Sequence, residues 1–200
     1  MNYLAHAYLA GEADSDRIGG ILGDFIKGTL PGVLPPPLAA GVALHRSIDS
    51  FADNHPAFQR SRRRVSTERR RYAGVMVDMF YDHLLAANWH HFNPQPLPKY
   101  TNDLYALLHA HVSILPERLA GILPYMRQDD WLTSYAAIDG VGGALDRIAR
   151  HRLKQPGTLP GAVVELQADY AGFTEDFFEF MESAAAYAAL RRDELSQIYK

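Results

Sequence analysis

Histidine and aspartate residues at helical spacing mark the first 83 positions of this 200-residue chain: His6, Asp24, His45 with Asp49, and Asp78 with Asp82 and His83. Residues four apart share one face of an α-helix. GVALHRSIDSFAD therefore presents His45, Asp49 and Asp53 as a polar stripe, and VMVDMFYDHLL does the same with Asp78 and Asp82. Imidazoles and carboxylates converging from several helices form a nest for a divalent ion. A mixed nitrogen and oxygen donor set suits Mn, Fe, Mg or Zn better than copper. The chemistry open to such a set is metal-dependent hydrolysis.

Each element of the pattern has a plainer alternative. Asp49 could simply pair with Arg46 between the two candidates, or cap a neighbouring helix. Asp82 and His83 diverge by about 100° on a helix, which favours one ligand and one partner that orients it. Asp24 sits in GGILGDFIKG among apolar residues, where a carboxylate needs an ion, a basic group or backbone donors. His6, in LAHAYLA, is either a ligand or a hydrogen-bonded core histidine. His55, His90, His91, His109, His111 and His151 fall at helix ends, on divergent faces or in loops, and are assigned no role. The chain has no GxSxG elbow, Gly-rich phosphate loop or dinucleotide fingerprint.

The elements that must position these groups read as helices throughout. A 200-residue chain supports one sizeable core, and a single domain over residues 1–200 is expected. Apolar residues at helical period predict helices from Ser15 or Asp16 to about Gly28, from the prolines at 35–37 to about Asn54, a short one through the arginines, and one from about Glu68 to Phe92. Further helices are expected around Tyr100–Leu115, after Pro116, around Trp131 and from Ile138 to Arg152. KQPGTLPG reads as a linker, followed by a long aromatic-rich amphipathic segment. No segment alternates as a strand would, so the fold class is all-α, a bundle of about seven to nine helices. The chain contains no cysteine, which excludes thiolate chemistry and disulfides and fits a cytoplasmic setting. No apolar run approaches the roughly 20 residues of a membrane span.

Charge is unevenly placed. The net charge is −3, yet RSRRRVSTERRR at 60–71 holds Arg60, Arg62, Arg63, Arg64, Arg69, Arg70 and Arg71 against one glutamate. Such a patch attracts an acidic partner or is a solvated helix end. Nucleic acid is disfavoured, because no aromatic residue interleaves the run before Tyr72.

With these residues in view, the chain resembles the bacterial acyl carrier protein phosphodiesterase family. MNYLAHAYLA, GGILGDFIKG, GVALHRSIDSFADNHP and VDMFYDHLLAANW carry the resemblance, in order and at the family's spacing, and weaker similarity extends over nearly the whole chain. It implies an all-helical scaffold distantly related to HD-type phosphohydrolases. The implied activity is removal of 4′-phosphopantetheine from holo-acyl carrier protein with Mn²⁺, or alternatively Mg²⁺, Fe²⁺ or Co²⁺. The family's metal and catalytic positions then fall on His6, Asp24, His45, Asp49, Asp82 and His83. On that footing Asp24, His45, Asp49 and Asp82 are expected to form most of the metal shell, with His6 and His83 divided between ligation and proton transfer. Lys27 or Arg46 would stabilise the phosphate. The arginine run would meet the acidic carrier protein, with no nucleic acid or membrane as partner, and the C-terminal Phe173, Phe177, Phe178 and Phe180 would form core or an acyl tunnel.

Two other functions are compatible with the same residues. One is an HD-type hydrolase of a nucleotide or other small phosphoester, with no use for the arginines. The other is a non-enzymatic module that captures an acidic helical partner around a structural ion.

Overall fold

A computed structural model describes residues 2–152 and 157–200. Among them run eleven α-helices: α1 (Tyr3–Ala10), α2 (Asp14–Leu22), α3 (Pro36–Asn54), α4 (Pro56–Arg64), α5 (Ala73–Ala87), α6 (Leu97–Ala110), α7 (Glu117–Gln128), α8 (Trp131–Ser134), α9 (Ile138–Arg152), α10 (Val163–Ala168) and α11 (Tyr170–Ile198). Short 3-10 turns at Thr67–Tyr72, Trp89–His91 and Val112–Ile114 join them, and no strand occurs among the described residues. The all-α class holds, while the helix count exceeds the expected seven to nine. One addition is α1, in which every residue but Tyr8 is buried. A helix apolar all round has no polar face, so periodicity does not reveal it. The other is α10, set off from α11 by Asp169, whose side chain accepts from Gly172 N and starts α11.

Three boundaries also differ from the sequence expectation. The helix expected to reach Gly28 ends at Leu22, and Gly23, Asp24 and Phe25 form a turn, with Phe25 N and Ile26 N both donating to Leu22 O. The helix expected over 68–92 is α5 alone, flanked by 3-10 turns. Of the linker-like KQPGTLPG, residues 154–156 lie outside the described residues.

One contiguous core runs through the molecule. On α3, Leu38, Val42, His45, Ile48 and Ala52 share the buried face, which is the spacing of one helix side. That face packs most extensively on α2 and α11. The α2/α3 crossing is backbone against backbone: a Cβ on Gly19 would lie 2.5 Å from Gly41 Cα. α11, 29 residues and about 43 Å long, packs along α3. Phe173, Phe177 and Phe180 are fully buried in this core, and Phe178 stacks on Phe92 at 5.8 Å.

Candidate metal centre

The crossing of α1, α2 and α3 brings three of the anticipated groups together. His6 Nε2, His45 Nε2 and the Asp49 carboxylate all lie within 4.8 Å of one another. Asp49 sits between the imidazoles, with Oδ1 3.0 Å from His6 Nε2 and Oδ2 3.2 Å from His45 Nε2. The rings stack at 3.6 Å between centroids. Asp24, on the turn after α2, adds a carboxylate oxygen 4.0 Å from His45 Nε2.

Local backbone explains this convergence. His45 Nδ1 donates to Gly20 O on α2 at 2.7 Å, which the close α2/α3 crossing brings within reach. Gly23 lets the following turn fold over the ring, because a Cβ there would lie 2.0 Å from His45 Cγ. Arg46, anticipated as a phosphate ligand, donates instead to Gly28 O at 2.8 Å and Ile26 O at 3.0 Å. It thereby ties down the loop that carries Asp24. Lys27 is exposed on that loop.

The donor set fits a cation. A carbonyl cannot donate, so the proton shared with Gly20 O resides on His45 Nδ1. Nε2 then faces two carboxylates either as an imidazolium N–H or as a bare lone pair, and in the second state only a cation relieves the converging lone pairs. His6 is neutral: burial, and then His45 beside it, push it down to about 3. Its buried Nδ1 has no hydrogen-bond partner among the described residues. Burial alone would raise the Asp49 carboxyl, but contacts with His45 and His6 outweigh it and hold the group ionised, well below the ordinary carboxylate range.

The α5 residues divide. Asp78 is close enough to feel Asp49 and Asp24: burial first, and their charges after it, raise its carboxyl. Its spacing put it on one stripe with Asp82, while the family pattern singled out Asp82 alone. Asp82 lies outside the three-ligand group. Its two oxygens accept from Leu4 N and Ala5 N at 3.0 Å each, so the carboxylate anticipated as a ligand stands at the N-terminus of α1. Burial pushes it up to about 7 against those two donors. His83 is also apart, with Nδ1 donating to Tyr135 O at 2.8 Å and Nε2 3.0 Å from the Tyr170 hydroxyl. Asp53, the third member of the expected stripe, points to solvent and pairs with Arg62 at 3.1 Å.

The arginine run is not one free patch. Arg60 and Arg64 both bond the buried Asp176 of α11 at 2.8 Å, and reach Glu179 and Asp169 respectively. Arg69 pairs with Glu165 at 3.2 Å. Only Arg63, Arg70 and Arg71 are exposed and make no carboxylate pair among the described residues.

Comparison with known proteins places this geometry. The model of a family described as acyl carrier protein phosphodiesterase matches residues 1–184. Among curated relatives, the acyl carrier protein phosphodiesterase of Serratia proteamaculans is 32% identical over 181 residues, 90% of this chain and 93% of its own. That of Salmonella agona is 31% identical, covering 94% and 98%, and that of Yersinia enterocolitica 30%, covering 94% and 97%. No solved structure matches the chain.

Proposed function

The chain belongs to the acyl carrier protein phosphodiesterase family, and from that premise we propose that it hydrolyses the phosphodiester between 4′-phosphopantetheine and the serine of holo-acyl carrier protein, releasing the apo-protein and 4′-phosphopantetheine. We further infer that the reaction depends on a divalent ion, Mn²⁺ first, held by His6, His45 and Asp49 with Asp24 beside them. The convergence of those donors around an anchored His45 supports this reading. It accords with a distant kinship to HD-type phosphohydrolases, where histidines and aspartates do the same work.

Phosphodiesters resist hydrolysis because the anionic phosphorus centre repels nucleophiles. A divalent ion screens that charge and acidifies water near neutral pH. The chain's own groups do the rest. Asp49 stays ionised between the imidazoles, and Gly20 O fixes the tautomer of His45. Asp82 aligns the start of α1, and with it His6, as a positioning residue. Arg46 holds the Asp24 loop in place. Arg63, Arg70 and Arg71 present positive charge to the acidic carrier protein.

Intact mass spectrometry of holo-acyl carrier protein tests the proposal. Incubation with the protein and Mn²⁺ should remove the phosphopantetheine mass, while chelator or Asp24→Ala should leave it in place. An unchanged carrier under every ion tried would overturn the reading in favour of a small phosphoester substrate.

A further inference from the structure

A cavity of about 560 Å³ lies among α1, α5, α7, α8 and α9. It is lined by, among others, Tyr3 of α1, Met79 of α5, Arg118 of α7, Asp129, Trp131 of α8, and Arg147 and Ile148 of α9. Two of its lining residues, Tyr3 and Arg118, lie against Phe25, the sequence neighbour of Asp24. Phe25, next to Asp24, stacks on Tyr3 at 6.1 Å and lies under the Arg118 guanidinium at 6.0 Å. Met79 follows Asp78 on α5.

The lining has two characters. Its floor is apolar and aromatic, while Arg118 and Arg147 stand in its wall without a carboxylate partner among the described residues. Each lies against a ring instead, Arg147 over Trp131 at 4.7 Å. A stacked guanidinium keeps its in-plane N–H groups free to donate. A chamber of this size falls in the range that encloses small ligands. Carbonyl oxygens can accept from those two donors, and the Asp129 carboxylate in the same lining disfavours an anion there. A purely aliphatic chain would make no use of either guanidinium.

We propose that this cavity receives the pantetheine arm, its amide carbonyls accepting from Arg118 and Arg147 while the phosphate remains at the metal centre. The assignment rests on the proposed hydrolysis of holo-acyl carrier protein. It makes the arm, as well as the protein that bears it, a determinant of specificity.

Trp131 supplies the probe. Pantetheine titrated into the Mn²⁺-loaded protein should change Trp131 emission, a response absent from Trp131→Phe and from Ile148→Phe, which fills the cavity. Ile148→Phe should also lower kcat/KM for holo-acyl carrier protein about tenfold or more, with hydrolysis of bis(p-nitrophenyl) phosphate, a diester without the arm, unchanged. Arg118→Met and Arg147→Met should raise KM more than they lower kcat. Silent emission together with parental turnover of the carrier by Ile148→Phe would overturn the assignment. Should the parent protein leave holo-carrier intact while pantetheine still quenches Trp131 in an Ile148-dependent way, the cavity assignment stands and the proposed reaction falls.

Discussion

At the scale of single residues, the centre depends on where protons are not. Gly20 O obliges His45 to keep a proton on Nδ1, so Nε2 is the ring nitrogen left to face an ion. Asp49→Asn replaces the carboxylate between two imidazoles with an amide that carries donors of its own. Activity should fall about 10²-fold or more. Mn²⁺ at a hundred times its dissociation constant should stabilise the parent by about 2.7 kcal/mol and the variant hardly at all, as calorimetry with and without Mn²⁺ can check. Gly23→Ala is a subtler probe, because its Cβ would enter the His45 ring. Helix content by circular dichroism should survive, while displacement of the ring should lower kcat about 10²-fold. The sequence displayed these histidines and aspartates through their spacing and apolar surroundings. It did not display the tautomer, which depends on a carbonyl 25 positions away.

At the scale of elements, two helices are held by charges from distant parts of the chain. α1 has no capping side chain of its own, and Asp82 supplies one from α5. The folded carboxyl titrates near 7 against an ordinary 3.8, so its protonated form is the one the fold favours. Its contribution is complete below pH 4 and is lost as pH rises through 7. In urea melts the stability of the parent relative to Asp82→Asn should therefore be lower at pH 8 than at pH 5, a difference in which the opposite contribution of His6, pushed down to about 3, cancels. α11 is stapled to α4 through Asp176, which is 1% exposed. Arg64→Met removes one of its two guanidinium partners and should cost about 1–3 kcal/mol by the same melts, with KM for the carrier unchanged. The seven-arginine run could not be partitioned by reading it, because composition does not say which guanidinium meets a carboxylate a hundred residues on. The helical class, α3 and α9 were legible from periodicity and proline placement. α1 was not, for want of a polar face, and the early end of α2 was hidden because the turn after Leu22 keeps an apolar pattern in Phe25 and Ile26.

At the scale of the whole molecule, the arginines left over after internal pairing set long-range behaviour. Replacing Arg63, Arg70 and Arg71 with Glu should raise KM for acyl carrier protein at low salt and leave kcat alone. The difference should shrink as ionic strength rises and the Debye length falls to about 8 Å near 0.15 M. Salt-independent kinetics in both proteins would remove the patch from substrate capture. No helix among the described residues is long and apolar enough to cross a membrane. The route of the chain carries a last consequence. Every donor of the centre is encoded before residue 50, yet α3 is backed by α11, whose Arg191 and Arg192 reach Ser47 Oγ and Ala10 O. A ribosome therefore completes the candidate metal-binding residues first and their supporting wall later, about ten seconds or more apart at ordinary elongation rates. In that interval the nascent chain has the sequence of a hydrolase without its rigidity, so competence should arrive only with the final helix and half-made chains should leave the cell's carrier proteins untouched.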